Sequence, residues 1–177
     1  MKILQPIVMF SLAVGILSSY ATAHPDEPKF ADYRVAIFRG DTKVPGYYKR
    51  TGNDWYDEMG KMVAAPEVNF AGKYHIGVHS CGMGCRYYTL SDLSNGIDSN
   101  ALDIFSNDVR SKSTSNTENY IVDLASKSDS KMLIAQYHIQ QSASFKEKCR
   151  QKVFTLSDDG KMVIPVATYG TQCKIIH

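Results

Sequence analysis

The chain has 177 residues, 44% of them hydrophobic and 21% charged, with a formal net charge of +2. That length suffices for one domain with a true core. The near-neutral balance excludes the usual nucleic-acid or anionic-membrane binder, since no basic stripe is present and the aromatics are not interleaved with Lys/Arg clusters.

At the start, Lys2, the apolar run Ile7–Ile16 and the small residues Ala21–Ala23 predict a signal peptide over residues 1–23, cut after Ala23. The apolar run is shorter than the about 20 residues that a membrane-spanning helix needs. No cysteine stands at the cut to carry a lipid. The protein is therefore expected in the periplasm or secreted. "HPDEPKF" then reads as a flexible leader (24–32), followed by a single β-rich domain over 33–177.

Hydrophobic period two dominates that domain. Tyr33–Phe38 predicts a first strand, and Gly46–Asn53 leads into one helix over about 53–65. Asn53 suits its N-cap, Asp54, Asp57 and Glu58 its first turns, and Pro66 its stop. Trp55, Met59, Met62 and Val63 would form its buried stripe. Beyond Pro66, strands are predicted at Lys73–Ser80, Arg86–Leu93, Ala101–Phe105, "YIVDLA", "KMLIAQYHI", "KVFTLS" and "KMVIPVATY". In the first of these, Tyr74, Ile76 and Val78 share one face, and His75 and His79 are expected on a solvated one. Asp159-Gly160 signals a hairpin, and Pro165 marks its strand as an edge or bulged strand. Ser106–Asn119 has no apolar period and reads as a long polar loop. The predicted class is α+β, mainly antiparallel, with about seven or eight strands in a twisted sheet or sandwich and one principal helix.

"NFAGKYHIGVHSCGMGC" (Asn69–Cys85) resembles a segment of a family of small exported bacterial proteins, which reads roughly Asn-Phe-Ala-Gly-His/Lys-Tyr, a strand, then Trp-Gly-Cys-Gly-x-x-Cys. The likeness continues in outline from Val68 to Val163, with His79-Ser80 standing where the family has Trp-Gly. The resemblance implies export and a β-rich fold. It implies no catalytic residues, because the family is largely uncharacterised.

"HSCGMGCRYY" (His79–Tyr88) holds the densest chemistry. An even count of cysteines in an exported domain reads as two disulfides with three possible connectivities, and Cys81–Cys85 with Cys149–Cys173 is the expected one. A soft-metal set of His75, His79, Cys81, Met83 and Cys85 would suit Cu(I) by ligand softness, and His24 at a new N-terminus would suit Cu(II). Oxidation of the cysteines and the bending glycines Gly82 and Gly84 weigh against the first set. A cysteine-dependent envelope hydrolase is a further alternative, with C-x-x-x-C spacing ahead of a strand as its weakness. No G-x-S-x-G elbow, phosphate-binding glycine loop or H-E-x-x-H is present.

The leading expectation is therefore a non-enzymatic exported binding module without a cofactor, of inhibitor or immunity type, with a protein partner in the periplasm. Its candidate contact residues are His79, Met83, Arg86, Tyr87 and Tyr88. Tyrosine and arginine are interface-forming types, and adjacent tyrosines on a strand must place one ring on each face.

Overall fold

The computed structural model describes residues 27–82, 85–106, 120–140 and 147–169, with side chains at positions 140, 147 and 169 left aside. Among the described residues, ten strands fall into three antiparallel sheets. A small sheet holds β1 (Lys49–Thr51), β2 (Asp54–Tyr56) and β3 (Met62–Val63). A second holds β4 (Tyr74–Gly82), β5 (Cys85–Asp92) and β6 (Ile97–Ser99). The third holds β7 (Tyr120–Ala125), β8 (Met132–Gln140), β9 (Glu147–Leu156) and β10 (Val163–Tyr169), in the order β10-β9-β8-β7. No helix among the described residues is long and apolar enough to cross a membrane.

The β-rich, antiparallel reading holds, and the single sheet with one principal helix does not. The predicted helix over about 53–65 is instead a three-stranded meander. Thr51 pairs with Asp54 across Gly52-Asn53, and Gly52 at φ 63° supplies the left-handed first position of a two-residue hairpin turn. Gly60, at φ 71°, breaks the segment again where a helix would have needed a continuous stripe. Met59 and Met62 lie exposed at 45% and 68%, so the proposed stripe is not buried. Ala101–Phe105, read as a strand, forms part of a 3-10 helix (Asn100–Phe105), with Ser99 Oγ accepting from the Ala101 N–H at 3.2 Å.

Tyr33–Phe38 is not a strand either. It laces along the loop before β8, with the Val35 N–H bonded to the Asp129 carbonyl and the Lys131 N–H to the Tyr33 carbonyl. Phe30–Tyr33 forms a 3-10 helix, and Phe30 and Tyr33 pack against Met132, Ile134 and Val153. The folded part thus takes in Phe30, inside the expected leader. Residues 1–26, with the predicted signal peptide, and residues 107–119, most of the predicted polar loop, lie outside the described residues. The β9–β10 turn carries Gly160 at φ 70°, and β10 is an edge strand with its register irregularity at Pro165/Ala167. Both features were legible in the sequence.

Two layers sandwich the β4–β5 hairpin. On one side Tyr74, Ile76, Tyr88 and Leu90 meet Val122, Leu133 and Phe154 of the four-stranded sheet, with Leu102 and Phe105 of the 3-10 helix completing the core. On the other side lie Tyr47, Tyr48 and the β2–β3 turn. The outer edge of β4 is held by a side chain: Asn69 Oδ1 accepts from the Ile76 N–H at 2.7 Å, and its Nδ2 donates to the Ile76 carbonyl at 3.1 Å. Phe70 is fully buried, and Ala71 and Gly72 turn the chain at φ 45° and 80°. A side chain at Gly72 would run into the Ala36 carbonyl. "NFAG" is therefore a folding device: an edge clasp, a core anchor and a tight turn.

Candidate functional site

The face of β4–β5 away from the main core is polar yet covered. His79 is 2% exposed and Asp57 is 2% exposed. Asp57 closes the β2–β3 turn with one oxygen, Oδ1 accepting the N–H groups of Met59 at 3.0 Å and Lys61 at 2.8 Å. Its other oxygen faces His79 Nδ1 at 3.2 Å. Burial alone would raise the Asp57 pKa. The backbone donors of Lys61 and Met59 and the imidazole outweigh that and hold it below the usual carboxylate range. An ionised carboxylate can only accept, so Nδ1 of His79 donates to it.

His79 Nε2 lies 3.0 Å from Thr89 Oγ1 and 3.4 Å from the Tyr48 hydroxyl. The Tyr87 ring stacks on the imidazole with centroids 4.7 Å apart. Burial first, then the carboxylates of Glu58 and Asp57, push the Tyr87 hydroxyl up to about 12, so it stays protonated and donates to Glu58 Oε1 at 3.3 Å. Beneath this cluster sits Gly77. A Cβ there would fall 2.5 Å from Thr89 Oγ1 and 2.8 Å from His79 Nε2, and closer still to the Tyr48 hydroxyl. Three polar atoms thus occupy the space that any other residue at position 77 would fill.

In connectivity Asp57–His79–Thr89 matches a carboxylate–imidazole–hydroxyl relay. In setting it does not match. The hydroxyl points at the glycine beneath it, the Tyr48 hydroxyl shares Nε2, and Tyr87 covers the ring. The arrangement holds the His79 ring in one orientation and ties the small sheet to the hairpin.

His75, two residues along the same face as Gly77, is also 2% exposed and donates through Nδ1 to the Glu67 carbonyl at 2.9 Å. Burial lowers its pKa. The solvated face expected for His75 and His79 is thus corrected: the small sheet and the Tyr47-Tyr48 segment cover it.

Above the clamp the hairpin emerges into solvent. Val78 is 49% exposed, and Ser80, Cys81 and Gly82 are exposed as well. Cys81 and Cys85 are joined by a disulfide that spans four positions, as expected. Their sulfurs are bonded to each other and both His79 nitrogens are engaged, so the copper set His75, His79, Cys81 and Cys85 presents no thiolate and no available imidazole at His79. While that bond is closed, neither Cys81 nor Cys85 is a free thiol. Cys149 is also disulfide-bonded. Met83, His24 and Cys173 lie outside the described residues.

The remaining candidate contact residues separate. Tyr88 is 3% exposed and its hydroxyl donates to the Val122 carbonyl, so it belongs to the core and offers no ring to a partner. Arg86 is partly exposed and paired with Asp123, which also faces His138 Nε2 at 3.2 Å. Tyr87 is half-buried over His79. Sequence reading missed Asp57, Tyr48 and Thr89. Their one local signal was the Asp57…Gly60 spacing of a turn, which had been read as the start of a helix. No family model matches the chain, and neither does any curated protein or solved structure.

Proposed function

We propose that the protein is an exported, non-enzymatic binding module that docks through the tip of the β4–β5 hairpin, as an inhibitor of a cell-envelope enzyme would. One observation carries this reading: the tip is exposed, cross-linked by Cys81–Cys85, and seated on the buried Asp57–His79–Thr89–Tyr48 clamp. A loop pre-set in this way loses little conformational entropy on docking, which is the main cost a rigid inhibitor avoids. The apolar surface of Val78, with the small residues Ser80 and Gly82, would enter a cleft. The predicted signal peptide and the resemblance carried by Asn69–Cys85 support a periplasmic setting for this activity.

Capture from periplasmic extract on the immobilised protein tests the reading. A specific partner should be retained by the parent and lost with Val78→Asp or Ser80→Asp, while the melting temperature is unchanged. Equal capture by the tip variants rules out the hairpin as the docking element. Absence of any partner, together with a hydrolytic activity of the purified protein, rules out the module itself.

A further inference from the structure

The tip bond differs from the rest of the fold in how little depends on it. Cys81 sits at the irregularity between Ser80 and Gly82, where the β4–β5 register shifts, and has no Cα partner on β5. It is exposed, whereas Cys85 is only partly so. Below it the ladder runs without interruption from Ser80↔Arg86 to Tyr74↔Asp92, and the stacked pair His79 and Tyr87 pins it within two residues of each cysteine. A bond that closes so short a loop removes little freedom from the unfolded chain. Cys149, by contrast, lies opposite His138 within the four-stranded sheet and is half-buried.

We propose that Cys81–Cys85 is a site of thiol–disulfide exchange, with a dithiol reductant as its substrate. The thiolate of the dithiol attacks Sγ of Cys81, the more exposed of the two residues. The S–S bond breaks, and Cys85 leaves as a thiolate that takes up a proton. The second sulfur of the dithiol then attacks its own partner in the mixed disulfide, releasing Cys81 as a thiol. The reductant is oxidised to a disulfide, and the protein gains two electrons and two protons. The opened tip loses its pinned shape while the clamp keeps the hairpin root. The consequence for docking rests on the function proposed above; the exchange itself does not.

Titrating the full oxidised protein with dithiothreitol under native conditions, alkylating at intervals and mapping peptides by mass tests the exchange. Cys81 and Cys85 should become labelled about tenfold faster than Cys149 or more, with the far-ultraviolet dichroism unchanged. Opening of Cys149 at the same rate, or tip opening only alongside loss of the β signal, overturns the proposal. A single-cysteine form of a dithiol protein, which cannot resolve, should be trapped on Cys81, and trapping on Cys85 overturns the order of attack. The double variant Cys81→Ser/Cys85→Ser should fold with native dichroism; failure to fold would show that the bond is structural and sink the proposal. Loss of partner capture after reduction supports the docking consequence. Unchanged capture overturns that consequence while leaving the labelling result standing.

Discussion

The root and the tip of one hairpin are built on opposite terms. At the root, β4 and β5 are covered on both faces: Tyr88 and Leu90 enter the main core, and His75, Gly77 and His79 lie under the Tyr47-Tyr48 segment and the β2–β3 turn. At the tip, Val78, Ser80, Cys81 and Gly82 face solvent, with a short covalent bond in place of packing. The two ends differ because burying polar groups is costly unless every partner is present, and here Asp57 and Tyr48 come from outside the hairpin. Asp57 serves both ends of that requirement. It shapes its own turn with one oxygen and orients His79 with the other. A rigid root lets an exposed tip be small and still hold one shape.

The comparison can be broken at several points. Asp57→Ala removes the turn acceptor and strands a buried imidazole, so it should cost about 3–5 kcal/mol in urea unfolding. A loss below about 1 kcal/mol would show that the root does not depend on the clamp. Next in size, Gly77→Ala forces a methyl among Thr89 Oγ1, His79 Nε2 and the Tyr48 hydroxyl and should cost about 1–3 kcal/mol. A neutral result would mean that the polar hub can shift, contrary to a rigid root.

Acid should act on the root in two stages. His75 has its folded pKa lowered by burial, so the unfolded chain binds the proton more readily. The stability it confers is complete above its unfolded pKa of about 6.5 and falls as pH drops from there toward the folded value. Asp57 and Asp92 also have lowered pKa values. For Asp92, burial is outweighed by Lys73 at 2.6 Å and the Ser94 donors. Their contribution is present above about pH 4 and is lost as pH falls through the folded values. Thermal melts across pH should show both declines, and His75→Gln should flatten only the upper one. A melt curve level between about pH 7 and 5 would contradict the assignment to His75.

The smallest effect belongs to the tip. Val78→Asp should change stability by no more than about 0.5 kcal/mol while abolishing partner capture. A larger destabilisation would mean that the tip packs after all and is not a free docking element.

How much of this was legible depended on whether a signal is local. The strand β7 at Tyr120–Ala125, the edge strand with Pro165 and the Asp159-Gly160 turn follow from period-two alternation and turn chemistry within a few residues. The same local rules, weighed differently, would have recovered the meander at 49–63. Gly52-Asn53 is a hairpin signal, and Gly60 is a poor residue for a helix interior. A three-to-four spacing of Trp55, Met59 and Met62 over so short a stretch does not separate a helix from two strands and a turn. The pairing within the clamp had no local signal, because Asp57 and His79 are 22 positions apart and Tyr48 and His79 31.

By itself, then, the sequence determined a β-rich antiparallel domain, its turns and edge strand, and a cysteine pair four apart that closes a glycine-containing hairpin. These follow from backbone preferences and the short reach of neighbouring residues. Only the tertiary structure decided which face of β4 is buried. Alternation shows that His75 and His79 share a side, and says nothing of what covers it. That side became an interior because a turn 22 positions away placed a carboxylate against His79 Nδ1, giving a polar face the partners it needs to leave water.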